Sequence, residues 1–137
     1  MTAFLRRLRS DRGAASTQLV LVVPALLLIA LLVVQFALVW HARHIAQYAA
    51  QRALAAARVE DGTPADGRTQ ARRSLATLGS RVLTTPSVTA ERTTARTTVR
   101  VDGTVIRVLP VPGLVLHASG TASGPTERIT TPGGGQP

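Results

Sequence analysis

The sequence predicts an α+β chain built on one long N-terminal helix, and three observations carry that prediction. No Asp, Glu or Arg occurs between Arg12 and Arg43, and sixteen of the twenty-two residues from Leu19 to Trp40 are Leu, Val, Ile or Phe. From His41 to Arg58 the chain is rich in alanine and free of Gly and Pro, so the same helix should continue past the apolar run. Beyond Gly79 the pattern changes from helical spacing to alternation of Val and Thr with polar residues. The expected architecture is a long transmembrane helix that continues outside the membrane, a second short helix, and a small antiparallel sheet of three to four strands. By residue, 1–13 is a basic cytoplasmic leader, 14–60 the transmembrane and extended helix, 61–124 an extracytoplasmic α+β head, and 125–137 a flexible tail.

A chain of 137 residues holds one ordinary domain. Its sixteen basic residues are all arginine, set against seven acids for a net charge of +9, and it has neither lysine nor cysteine. Those absences exclude a lysine Schiff base, a P-loop lysine, thiolate zinc sites, cysteine nucleophiles and disulfide staples. A remainder this polar could not wrap every face of Leu19–Trp40 as a core helix. A bilayer core of about 30 Å needs roughly 20 residues at about 1.5 Å each, which this stretch supplies. Arg6, Arg7, Arg9 and Arg12 precede the run and Arg43 alone follows it, so the N-terminus is expected inside and the head outside a cytoplasmic membrane. Trp40 and Tyr48 read as anchors at the membrane interface. Pro24 lacks an N–H, leaves the carbonyl of Val20 without its helical partner, and should kink the helix.

The helix should extend from about residue 15 to 59, roughly 68 Å at about 1.5 Å per residue, and stop at Asp61-Gly62-Thr63-Pro64. Its outer half carries a polar stripe at Arg43, Gln47, Gln51 and Arg58. A small-residue face of Ile45, Ala49, Ala53 and Ala56 suits close approach of another helix, in this chain or a partner. The second helix is expected over 66–78, with Arg68, Arg72 and Arg73 exposed, Leu75 and Leu78 buried, and Gly79 as its C-cap. Strands are expected at 87–91, 95–101, 104–109 and 114–119, with Asp102-Gly103 as a two-residue hairpin turn and Pro110-Val111-Pro112-Gly113 as a wider connection.

The run Arg12-Gly13-Ala14-Ala15-Ser16-Thr17-Gln18-Leu19-Val20-Leu21-Val22-Val23-Pro24 resembles the N-terminal signature of TadE-like pilus-assembly proteins, pseudopilins of the tight-adherence branch of type IV pilus systems. In that family a basic leader ends at a glycine, a polar residue follows five positions later, and an apolar helix with an early proline comes next. Those places fall on Gly13, Gln18 and Pro24. The resemblance implies cleavage by a membrane-embedded prepilin peptidase between Gly13 and Ala14, and partners among other pilus-assembly proteins or pilins. It also marks a departure, because pilins generally carry glutamate at the fifth mature position, where this chain has Gln18. An amide can hydrogen-bond the amino terminus of a neighbouring subunit but cannot neutralise it, which suits an assembly factor or minor pilin better than a major one.

No other constellation carries chemistry. His41 and His44 stand three apart on one helical face with no carboxylate nearby, and His117 has no triad partners. Glu60, Asp61 and Asp66 surround a turn and read as helix stop and start signals. Four arginines belong to the leader, and the other twelve are scattered against six acids with few aromatics, so nucleic acid is not an expected partner. The expectation is therefore a non-enzymatic protein without metal, cofactor or small-molecule substrate, in contact with membrane lipid and pilus proteins. Two alternatives are a membrane-tethered extracellular binding module without a pilus role and a soluble protein secreted after signal cleavage.

Overall fold

The computed structural model describes residues 2–127, and for 2–17 the backbone alone. The order is α1 (Thr2–Arg58), α2 (Pro64–Leu78), β1 (Leu83–Arg92), β2 (Arg96–Val105) and β3 (His117–Pro125). It is the expected α+β arrangement with three strands. Helix α1 begins earlier than the sequence suggested and remains helical through Pro24. The backbone from residue 2 onward thus belongs to the same helix as the apolar run. The side chains of Arg6, Arg7, Arg9, Arg12, Gly13 and Ala14 lie outside the described set, as do residues 128–137 of the tail.

Helix α1 ends where Asp61 adopts a left-handed φ of 60° and the Gly62 N–H returns to the carbonyl of Val59 at 3.0 Å. The carbonyls that this end leaves without helical partners are collected by one side chain from the sheet. Arg92 Nη1 donates to Ala57 O at 2.7 Å, to Val59 O at 3.0 Å, and to Gly62 O. A cation there also opposes the negative end of the helix dipole. Arg92→Ala should therefore cost about 1 kcal/mol, within the usual range for hydrogen bonds and dipole contacts at a partly solvated helix end. The check is chemical denaturation of the detergent-solubilised chain against an Arg81→Ala control.

Helix α2 starts with a capping box. The Thr63 hydroxyl accepts from the Asp66 N–H at 3.2 Å, and the Asp66 carboxylate accepts from the Thr63 N–H at 2.9 Å and from its hydroxyl at 2.6 Å. Those bonds favour the ionised form and hold Asp66 below its ordinary pKa. The acid read from sequence as a helix start signal is one. Gly79 closes the helix through its N–H to Leu75 O at 2.7 Å, but with φ −106° rather than in the left-handed cap conformation. Leu75 is buried as expected, whereas Leu78 is half exposed, because α2 meets α1 along a narrow Gly67, Ala71 and Leu75 face that Leu78 overshoots.

The sheet has order β1-β2-β3 and is antiparallel throughout. In β2, Thr97, Val99, Val101, Gly103 and Val105 point inward, continuing the alternation legible at 97–101. The expected hairpin at Asp102-Gly103 is not formed. Asp102 pairs with Ser87 and Ser119, and Gly103 with Ala118, so the pair lies in mid-strand. Gly103 is required there because a Cβ would approach Leu83 Cγ to 2.6 Å. The turn between β1 and β2 falls instead at Thr93–Ala95, where the Thr93 N–H donates to Arg96 O at 2.8 Å and its hydroxyl accepts from the Arg96 N–H at 2.9 Å. The expected strand at 104–109 stops at Val105, and β3 runs on to Pro125. Beyond it, Thr126 donates its hydroxyl to Thr93 O at 3.0 Å and the Glu127 N–H donates to Arg58 O at 2.9 Å. The first residues assigned to the tail are thus tied to the head.

The core lies between the sheet and the outer half of α1, with α2 along the flank. Ala42, Ile45, Ala46, Ala49, Ala50 and Ala53 meet Val99, Val101, Val105, Ala118 and Ala122, with Ala71, Leu75 and Leu83 closing the side. The expected small-residue face does receive a helix, namely α2 of the same chain. A Cβ on Gly67 would stand 2.9 Å from that of Ala57 and 3.1 Å from Ala53 O. Ala56, assigned to that face, is half-buried; Ala57 takes the buried position.

Candidate functional site

The long helix divides into two regimes. From Gln18 to Val34 every side chain is exposed except Leu31, which is half-buried, although nearly all are Leu, Val, Ile or Ala. The helix is long and apolar enough to cross a membrane, with mean hydropathy 3.0 over its most apolar window. A core helix of a soluble protein would be covered by its own fold, and this window is almost bare. From Gln35 to Arg58 one face is covered by the head.

Gln35 marks the change. It is the sole polar residue between Leu19 and Trp40 and is buried. Its Oε1 accepts from the Val108 N–H at 2.7 Å and, at 3.5 Å, from that of Leu109, while Nε2 donates to Ile106 O at 3.2 Å. The amide thus holds the β2–β3 connection, residues 106–116, against the apolar helix. Higher up, Gln47 does the same for the sheet edge: Nε2 donates to Thr121 O at 3.0 Å and Oε1 accepts from the Thr121 N–H at 3.1 Å. Two glutamines twelve residues apart therefore clamp the head to the helix. Beside Gln47, Gly120 brings β3 onto the helix backbone.

On the open face of α1 an aromatic ladder rises at intervals of four. Phe36 and Trp40 stack with ring centroids 6.4 Å apart, Trp40 meets His44 edge-on at 5.3 Å, and Arg52 lies over Tyr48 while its Nε donates to the Tyr48 hydroxyl at 2.9 Å. Trp40 and Tyr48 are both exposed. His44 is a neighbour of the ladder, and among the described residues no three His, Asp or Glu side chains gather to hold a metal. Gln18 and Pro24 are exposed on the bare half of α1.

The sequence alone gives Gln35 no stated role and places Gln47 only on the polar stripe. The signal for Gln35 was present, since a lone polar side chain within a membrane-length run is costly and needs a partner. For Gln47 and Gly120 no local signal exists, because their roles depend on each other's elements, α1 and β3, more than seventy residues apart.

Residues 13–55 match the family model described as TadE-like protein, a range that starts at Gly13 and takes in the bare half of α1 and most of its clad half. No curated protein and no solved structure matches the chain.

Proposed function

We propose that this chain, TadE-like over residues 13–55, is a single-pass component of a tight-adherence pilus system, working as a pseudopilin or minor pilin rather than as an enzyme. The observation that carries the reading is the division of α1 into a bare apolar half and a half fused to a compact head. A pilus component must exchange lipid for neighbouring helices around its anchor, and an anchor free of its own head on every side can do both. The net charge of the leader favours its retention in the cytoplasm and export of the head. Gln18, exposed on the bare half, lacks the charge to neutralise a neighbour's amino terminus, and this favours an accessory place in assembly over the repeating subunit.

In this reading a prepilin peptidase cuts between Gly13 and Ala14. Helix α1 runs through that bond, so cleavage requires local unwinding. Glycine is about 1 kcal/mol less favourable than alanine in a helix, so the unwinding costs least there. Mass spectrometry of the chain from membrane fractions should find Ala14 at the mature N-terminus, and deletion of the gene should reduce piliation. An intact leader would reduce the protein to a simple anchor, and a start beyond Trp40 would make it a secreted protein. Unimpaired piliation in the deletion strain would leave only the tethered binding module.

A further inference from the structure

We infer that the β2–β3 connection, residues 106–116, is a second membrane contact: an apolar loop on the underside of the head that rests in the outer leaflet beside α1. The inference depends on α1 spanning the bilayer, and geometry places the loop at its exit. Strand β3 climbs alongside α1, with Gly120 against Ala46 and Gln47 and Gly124 near Leu54 and Arg58. The strand's beginning, His117, therefore points down toward the bare half. The loop before it lies lower still, at Gln35, eleven residues below Ala46 and so about 16 Å along the axis. Counting about 30 Å of hydrocarbon back from Gln35 at about 1.5 Å per residue brings the inner boundary to about residue 15. The outer boundary then falls at the level of the loop, and Trp40 stands among the headgroups.

The loop's composition and bonding fit that depth. Ile106, Val111 and Val115 are 43%, 46% and 56% exposed, Val108 is also exposed, and Pro110 and Pro112 present no N–H. These side chains lie beside the apolar surface of the helix, with one charged residue, Arg107, among them. Irregular backbone is tolerated near hydrocarbon only where its polar groups find partners. Here Gln35 serves Ile106 and Val108, and Arg107 Nη1 donates to Val111 O at 3.2 Å and Leu114 O at 3.0 Å. Arg107 is the loop's single charge, and its long stem allows the guanidinium to remain at headgroup level.

The chain has no native cysteine, so single labels can be placed cleanly. Nitroxides at Val111→Cys, Leu27→Cys on the bare helix and Ser123→Cys high on β3 would be read in full-length chain reconstituted, at low protein-to-lipid ratio, into phosphatidylcholine–phosphatidylglycerol vesicles. Collision with oxygen reports lipid and collision with a water-soluble nickel chelate reports water. The expected result is an oxygen-to-nickel accessibility ratio at Val111 several-fold above that at Ser123 and near that at Leu27. A lipid-like Leu27 with a water-like Val111 overturns the loop inference and leaves the anchor standing. A water-like Leu27 overturns both. Protection of Val111 from both quenchers would mean that protein, not lipid, covers the loop, and also overturns the inference.

Discussion

Gly120→Ala is expected to lower the melting temperature of the head by about 10 °C or more, the largest effect of a methyl added at any of the described glycines. A Cβ at residue 120 would stand 2.3 Å from Gln47 N, 2.4 Å from Ala46 C and 2.5 Å from Ala46 O. All three atoms belong to helix backbone, so no rotamer change can relieve the overlap. Strand β3 must move away from α1, which weakens the Gln47 pairing with Thr121 and the contacts of Ala118 and Ala122 with the alanine face. Overpacking usually costs about 1–3 kcal/mol, and a contact with rigid backbone on both sides belongs at or above the upper end. For a head of this size about 3 kcal/mol corresponds to a shift of at least about 10 °C. Gly124→Ala is the matched control: its Cβ would meet only side-chain atoms, at 3.6 Å, and should be close to neutral. Thermal melting of the full chain in detergent, followed by far-ultraviolet circular dichroism, separates the two. A melting point for Gly120→Ala within two or three degrees of the parent would show that β3 is not seated on the helix backbone.

The same contact explains which parts of the fold were legible in the sequence. Helix α1, helix α2 and the inward face of β2 were readable because each is set by local periodicity and by breakers such as Asp61-Gly62-Thr63-Pro64. The capping role of Asp66 was readable for the same reason. The strand ends were not. Asp102-Gly103 has strong turn chemistry, yet in the fold Asp102 is paired on both sides and Gly103 with β3, and what Gly103 supplies is room for Leu83 rather than a positive φ. Tertiary register outweighed a local preference worth about 1 kcal/mol. Leu78 failed for a related reason: helical spacing places it with Leu75, but the partner surface ends before reaching it. At the candidate site, the apolar run and the aromatic residues Trp40 and Tyr48 beyond it were visible as composition and spacing. The attachment of the head to that run was hidden, since it depends on Gln35 meeting a loop across more than seventy residues of chain.

Gln35→Leu distinguishes two accounts that the sequence alone leaves equal, and it should have the second-largest effect. If Gln35 were only a polar residue tolerated in a membrane helix, leucine would improve insertion and disturb nothing else. As the latch of the 106–116 loop, its loss leaves the Val108 N–H and the Ile106 carbonyl without partners next to buried Leu109. Unsatisfied groups of this kind cost about 1–3 kcal/mol each, partly relieved when the loop lifts toward water. The expected net cost is about 2 kcal/mol, confined to the loop because the core above it is untouched. Hydrogen exchange should therefore speed up about thirtyfold at Val108 while the Val99 and Val101 amides keep their protection. Membrane insertion of the variant should be undiminished, since the change makes the helix more apolar, and so the two readouts move independently. Unchanged exchange at Val108 would mean that Leu109 packing alone holds the loop down, and that the amide is a passenger in the helix.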